Sequence, residues 1–513
     1  MNIILVKPHP PSEILEKRCP IQENYKYNWE PIALKLMAQK LKHHHEDIKV
    51  EIWHLMNHQD DEKFLSAVEQ NKPQLVAFSE IDILVNEVNH LSQIIRKKSP
   101  STKIIVGGKH SSLLRKGDKS PFLYADYAIR GDGVNAINQF VECFTDPESE
   151  LTNIDGIVAW DENQKIFTED TFSTRGCEHV DNIELHKIEV QNHNLDQYVN
   201  EYQIQASIAH GKVVTSPIYT GQGCPFNCHF CQSPMELGKV GKVVQMLPEK
   251  VAAEINWLLK NYSVNNFFSL EPNVDLKNLL SIYDELEKYE IDSVAISGFI
   301  RPADVVKANH SGLLKKLVKK GMRILYIGLD VPLDIKKDVF NKKFSYEEMM
   351  ECVRICKDNG IIVISTMLGD PSLSKEELRT VLENASMIPV SEIEVRLAIA
   401  LRNTKFYEAC GEFLIHNPDH DFTYFDQQNY RYQTLQYPDK IKPEETYELV
   451  NNFNKEFYFT DGHLAYVRDM ITNHPDTIPY FKRLYESKVM NHPEMEHKIG
   501  WLFEQEKRGE KYA

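Results

Sequence analysis

The sequence predicts an α/β protein made of two successive strand–helix alternations and a mostly helical C-terminal region. Three observations predict it. Short apolar runs alternate with segments of helical period over residues 1–150. The same alternation resumes over 206–415. After that the chain turns aromatic and charged, with helical period, over 416–513. At 513 residues the chain is too long for one ordinary core. The pattern divides it into 1–150, a connector at 151–205, 206–415 and 416–513.

In the first unit, Ile3-Ile-Leu-Val6 reads as a buried strand. A helix follows over Trp29–Leu41, with Pro31 at its start. Strands are expected at Val50–Trp53, Gln74–Ser79 and Lys103–Gly108, with a helix over Val85–Arg96 among them. This alternation predicts a doubly wound, Rossmann-like parallel sheet, whose ligand sits outside the carboxyl ends of the strands. The loops at those ends are Lys7-Pro8-His9-Pro10, Ser79-Glu80, Gly107-Gly108-Lys109-His110-Ser111 and Arg130-Gly131-Asp132-Gly133. Paired glycines let backbone approach a flat or phosphate-bearing ligand closely.

In the connector, Ile154–Trp160 and Asn163–Phe167 read as a small hairpin. Cys177 and His179 carry no assigned role. The second unit has strands at Pro217–Thr220, Asn266–Leu270, Ser293–Ser297, Ile324–Leu329, Ile361–Ser365 and Ile393–Leu397. In the last unit, helices are expected over Glu444–Phe457 and Tyr480–Met490. Aromatics are dense there, at Phe422–Phe425, Tyr430–Tyr432 and Tyr437, and read as core or as walls of a substrate pocket. From Glu494 onward the chain reads as a docked helix ending in a frayed tail.

Composition excludes some classes. The chain is 42% hydrophobic and 26% charged, ordinary for a globular protein, and its net charge is −16. That balance argues against nucleic acid as a partner. No apolar window is long enough for a membrane span. The start, Met1-Asn-Ile-Ile-Leu, has no charged leader or cleavage site, so a cytoplasmic protein is expected. Nine cysteines do not form a disulfide framework. Cys352 and Cys356 lie four apart on one helix face and read as core. His43, His44 and His45 are consecutive on a helix, cannot converge on one ion, and read as surface.

The chemistry-bearing motif is Cys224-Pro-Phe-Asn-Cys228-His-Phe-Cys231, spaced C-x₃-C-x₂-C. Three thiolates can hold three irons of a [4Fe–4S] cluster and leave the fourth open. A closed structural metal site usually takes four ligands. A zinc loop completed by His229 or a distant histidine remains the competing reading.

With an aromatic, Phe230, before its last cysteine, the loop resembles that of the radical S-adenosylmethionine (SAM) enzymes. The resemblance implies a partial (β/α)₆ barrel over the second unit, with the cluster at the carboxyl ends of its strands. It implies that Cys224, Cys228 and Cys231 hold the cluster, and that Phe230, Glu271, Arg301 and Asp330 serve SAM. The first unit is similar to the cobalamin-binding domain of one large subfamily, which has a Gly-Gly-x-His loop and a Gly-Glu/Asp-Gly loop. That assigns Lys7, Pro8, Gly107, Gly108, His110, Gly131, Asp132 and Gly133 to cobalamin (B12). The cobalt-ligating Asp-x-His-x-x-Gly motif is absent, and a vestigial domain is the alternative. Gly328-Leu-Asp330, Thr366–Ser372 and Ala400–Thr404 resemble later subfamily loops only in part.

The function so implied is cobalamin-dependent C-methyl transfer to an unactivated carbon of a small molecule or natural product. It would proceed through a 5′-deoxyadenosyl radical and methylcobalamin, with flavodoxin or ferredoxin as one-electron donor. Non-methylating oxidation, cyclisation or ring rearrangement with the same cofactors is one alternative. A non-catalytic metal-binding scaffold is another. The resemblance names no side-chain acid or base.

Overall fold

The computed structural model describes residues 1–9, 30–80, 84–114, 120–145, 154, 156–159, 185–193, 215–233, 241, 243–262, 264–330, 340–402, 404–416, 434–438 and 440–504. The first sheet comprises β1 (Asn2–Lys7), β2 (Lys49–His54), β3 (Leu75–Glu80), β4 (Lys103–Gly108), β5 (Tyr127–Ile129) and β6 (Ile157–Ala159), in the order β2-β1-β3-β4-β5-β6. β1 to β5 are parallel. Both faces are covered, which is why these strands read as unbroken apolar runs. Ile3, Leu5, Ala77 and Ile105 face the helices Ile32–His44 and Gly133–Thr145, while Ile4, Val6, Val76, Phe78 and Val106 face His58–Asn71 and Val85–Lys98.

Ile157–Ala159, the first arm of the expected hairpin, pairs antiparallel with β5 and extends this sheet. It shields the otherwise unpaired backbone of β5. The expected second arm, Asn163–Phe167, lies outside the described residues, as do Cys177 and His179.

The second sheet comprises β7 (Thr215–Ile218), β10 (Asn266–Ser269), β11 (Ala295–Ile300), β12 (Ile324–Gly328), β13 (Ile362–Gly369) and β14 (Glu392–Leu397). All six are parallel, in the order β14-β13-β12-β11-β10-β7. This is the expected open six-stranded (β/α) arrangement. Pro217 sits in β7, an edge strand, where its missing N–H breaks no ladder. A small ribbon that the sequence pattern did not reveal, β8 (Gly221–Gly223) with β9 (Val243–Gln245), follows β7. Cys352 and Cys356 are both fully buried on the helix Tyr346–Asp358, as core.

The turn Leu185–Lys187 bridges the two sheets. Lys35 Nζ donates to the Leu185 carbonyl at 3.1 Å. His186 stacks on Trp257 with ring centres 4.2 Å apart and bonds Glu254 at 2.6 Å.

The C-terminal helices Pro443–Glu456, Asp461–Asn473 and Ile478–Asn491 cover the far edge, and the middle one had no clear sequence signal. Asn454 donates to the Val395 carbonyl at 2.9 Å and accepts from its N–H at 2.8 Å, so it caps the open side of β14. Within the expected terminal helix, the described residues form a turn at Pro493–Lys498 and the helix Gly500–Glu504, and 505–513 lie outside the described residues.

His463 locks this layer in place. Its Nε2 donates to the Ser391 carbonyl at 3.0 Å, and its Nδ1 lies 2.8 Å from the Tyr485 hydroxyl. Burial lowers its imidazole to about 4. A depressed folded-state value means stability present above the unfolded value, near 6.5, and lost as pH falls toward 4. The expected loss is at most about 3 kcal/mol. Denaturant melts at pH 7 and pH 4.5 should therefore show a steeper decline for the native protein than for His463→Gln. Equal slopes would contradict the buried neutral imidazole.

Candidate functional site

The cysteine loop leaves β8 beside the carboxyl ends of the second sheet and is held by backbone contacts from two distant segments. His229 N–H donates to the Phe340 carbonyl at 3.0 Å, and Phe406 N–H donates to the His229 carbonyl at 3.0 Å. The Asn341 amide donates to the Asn227 carbonyl at 2.6 Å. Phe230 meets Phe340 edge-on at 5.5 Å and packs into an apolar wall with Phe406, Leu435 and Tyr437. Leu435 and Tyr437 bring part of the C-terminal region into that wall. Phe422–Phe425 and Tyr430–Tyr432 lie outside the described residues.

Two cations serve the loop. The Arg301 guanidinium stacks 3.8 Å above the Phe226 ring, and its buried Nε has no hydrogen-bond partner. Lys342 lies 5.0 Å from the Phe230 ring centre and 2.5 Å from Asp330 Oδ2. Asp330 Oδ1 accepts from Leu368 N–H at 2.7 Å. Both Asp330 oxygens are thus engaged, and the carboxylate aims Lys342 at the loop. Burial opposes the Lys342 charge, but Asp330 outweighs it and raises the ammonium above its usual range.

The thiols show why cations are needed. Burial pushes Cys224 up to about 11 and raises Cys228 as well, and each thiol's proton is held more tightly by its neighbouring cysteines. Arg301 pulls both back down, and Lys342 does so for Cys228. Metal binding must displace these protons. The positive environment lowers that cost.

Glu271 lies beyond β10 and is almost fully buried. Its N–H donates to Ser269 Oγ, which lies 2.6 Å from Thr220 Oγ1. Burial raises its carboxyl to about 7, against opposing bonds from Gln245 and Thr220. Its Oε1 is buried with no hydrogen-bond partner. Gly221 makes room for it, because a Cβ there would stand 2.1 Å from that oxygen.

At the first sheet, Lys7, Pro8 and His9 end β1, Glu80 ends β3, Gly107 and Gly108 end β4, and Arg130–Gly133 follow β5. All lie at one carboxyl edge, flanking the β1/β3 point where the strand order reverses. Desolvation lowers the Lys7 ammonium to about 7. Gly108 has φ +150°, and a Cβ on it would clash with the Glu80 carbonyl at 1.9 Å. Gly131, at φ +88°, is left-handed. Gly131 N–H donates to Ser112 Oγ, and Ser112 Oγ donates to the Gly108 carbonyl, so the two glycine loops are tied together. Asp132 Oδ1 accepts from Val134 N–H at 2.8 Å, opening the helix Gly133–Thr145. His110 is buried edge-on to Phe122.

The donor sets fit the groups the resemblance implies. Around zinc, thiolates at 2.3 Å would stand about 3.8 Å apart. Among the described residues, the one trio of His, Cys, Asp or Glu whose ligand atoms all lie within 4.8 Å of one another is His9, His58 and Asp61. The three cysteine sulfurs do not all meet that limit, and a cubane takes each on a separate iron. The tied glycine loops form a backbone cradle at the expected edge of the first sheet. Sequence reasoning missed Lys342, Phe226 and Phe340. A buried lysine in a polar stretch carries no periodic signal.

Comparison with known proteins agrees with this geometry. The radical SAM superfamily profile matches residues 218–385, and the B12 binding domain profile matches 19–141. The anaerobic magnesium-protoporphyrin IX monomethyl ester cyclase of Rubrivivax gelatinosus is 23% identical over 340 residues, 65% of this chain and 58% of the cyclase. The matched region thus spans little more than half of that relative. An uncharacterized methyltransferase of Pyrococcus horikoshii is 21% identical over 410 residues, 80% of this chain and 83% of that protein. The fold matches that of the cobalamin-dependent SAM radical enzyme OxsB with aqua-cobalamin bound, at TM-score 0.62 and 11% identity, over 99% of this chain and 80% of OxsB. No helix among the described residues is long and apolar enough to cross a membrane.

Two substitutions separate the halves of the site. Cys228→Ala, reconstituted without oxygen, should fall from about four irons per chain to background. Full iron retention would contradict the ligand assignment. Gly108→Val should weaken corrinoid retention by at least about tenfold while iron content stays unchanged, because the side chain displaces the β4 loop from β3. Unchanged corrinoid affinity would remove that loop from the site.

Proposed function

The chain belongs to the radical SAM enzymes that carry an N-terminal B12-binding domain, and from that premise we propose that it is a C-methyltransferase acting on an unactivated carbon of a small molecule. Its cofactors are a [4Fe–4S] cluster, SAM and cobalamin. When bound, the reduced cluster supplies the electron that cleaves SAM, and cobalamin supplies the methyl group. The observation that carries methyl transfer is the likeness to a methyltransferase over four-fifths of both chains. A second reading, non-methylating oxidation or cyclisation, rests on the cyclase likeness, which reaches 58% of that enzyme.

The chain's own residues have defined work in this proposal. Cys224, Cys228 and Cys231 hold three irons. Arg301 and Lys342 balance the thiolate charge. The wall around Phe230, Phe340 and Phe406 excludes water from the loop. Glu271 presents an unsatisfied carboxyl oxygen that accepts from the SAM amino group or ribose. The loops of Lys7–Pro8, Gly107–His110 and Gly131–Gly133 seat the corrinoid. Flavodoxin or ferredoxin is the expected electron donor.

Glu271 gives the proposal a pH signature. Its carboxyl is half neutral near pH 7, and a positively charged ligand favours the ionised form. SAM affinity for the oxidised protein should therefore rise from pH 6 to pH 8, with proton release. Glu271→Gln should flatten that rise and bind SAM about tenfold more weakly at pH 8. Identical profiles would remove Glu271 from the site.

The reaction class can be tested before the substrate is known. With methyl-labelled SAM and a low-potential reductant, the methyltransferase reading predicts label bound to the corrinoid. Formation of 5′-deoxyadenosine with no label on the corrinoid would favour the second reading.

A further inference from the structure

Beside Lys7 and Pro8, one group of side chains has no role in the proposed chemistry. His9 follows β1. His58 and Asp61 lie in the first turn of the helix His58–Asn71. Asp61 Oδ2 lies 3.0 Å from His9 Nε2 and 3.2 Å from His58 Nδ1. His9 is 3% exposed, the Asp61 side chain 9%, and the His58 side chain 74%. Asp61 Oδ1 is buried with no hydrogen-bond partner. Glu87, in the first turn of Val85–Lys98, is also buried, its Oε1 has no hydrogen-bond partner, and its carboxyl lies within the electrostatic reach of His9, Asp61 and His58.

We propose that His9, His58 and Asp61 form a binding site for a divalent first-row transition ion, with zinc as the probe. The geometry is close to what such an ion needs. Ligands at about 2.0–2.1 Å in a tetrahedron stand about 3.3 Å apart. The observed 3.0 and 3.2 Å edges are therefore nearly in place. Two imidazoles and a carboxylate are a common donor set for these ions. Binding needs each imidazole to carry its proton on the nitrogen away from the ion. Asp61 supplies one negative charge to the dication, and its buried Oδ1, which has no hydrogen-bond partner, gains a charge partner. The exposed ring of His58 leaves one side open for a water ligand.

The neighbouring Asp60 is not part of the site. Its Oδ2 accepts from Met56 N–H at 3.0 Å and contacts His193 at 3.0 Å, docking the connector. The ion would tie the end of β1 to the helix beside it, next to Lys7 and Pro8, and so brace the loop proposed to meet the corrinoid. Its binding does not depend on the reaction class.

The test uses protein loaded with cluster and corrinoid, so that the cysteine loop is already occupied. After treatment with chelating resin, it is titrated with zinc against a chromophoric chelator, and bound zinc is counted by mass spectrometry. The expected result is about one zinc per chain, weakened at least about tenfold in both Asp61→Asn and His58→Ala. Because the His58 ring is largely exposed, its removal should leave the melting temperature, iron and corrinoid contents of the zinc-free protein unchanged. His44→Ala, in the surface triplet, should bind zinc as the native protein does. No zinc uptake, or uptake unaffected by both site substitutions, would overturn the proposal.

Discussion

Three cysteine sulfurs must carry negative charge in a water-poor place, and the structure around them is arranged to make that tolerable. Left as thiols, Cys224 and Cys228 keep their protons more tightly than free cysteine does. Arg301 and Lys342 oppose this, each over a ring of the loop itself, Phe226 and Phe230. Lys342 could not hold its charge at such burial without Asp330, and Asp330 stays in place because Leu368 N–H binds its other oxygen. Charge balance at the loop therefore depends on residues from β11, β12, β13 and the segment at 340–344. A parallel sheet brings such strand ends together at one edge.

The two sheets share one apolar core. Ile3 and Leu5 of β1 belong to the same buried body as Phe267 of β10 and Phe457 of the C-terminal layer, joined through Leu185, Ile188 and Val190 of the connector. Polar contacts add direction to that continuity. Asn192 bonds both the carbonyl and the N–H of His54, while His186 bonds Glu254 on the barrel side. These contacts at 185–193 tie the cobalamin-type domain to the SAM-type barrel.

Much of this was legible in the sequence. Period and apolar runs place β1 to β5 and the six strands of the second sheet, because strands buried on both faces leave unbroken runs such as Ile3–Val6. The spacing of the triplet marked a metal site, and the resemblance supplied its chemistry. Arg301 and Asp330 were legible by their order after the triplet, and both reach the loop. What escaped depends on three-dimensional context. Lys342 looks like any surface lysine in Asn341-Lys342-Lys343, and only folding buries it beside Asp330. Ribbon β8–β9 is three residues per strand, too short for a pattern. The pairing of Ile157–Ala159 with β5 left no local signal, because the two strands lie nearly thirty residues apart in the chain. The trio His9, His58 and Asp61 is invisible in sequence, since its members meet only through strand order.

The central claim is that one chain holds both an iron–sulfur cluster and a corrinoid. The most direct test is anaerobic reconstitution with iron, sulfide and hydroxocobalamin, desalting, and quantification of both by absorbance and elemental analysis. The account predicts about four irons and about one corrinoid per chain. About four irons with no corrinoid would contradict it, and would leave the first sheet as a recognition domain beside an ordinary radical SAM barrel.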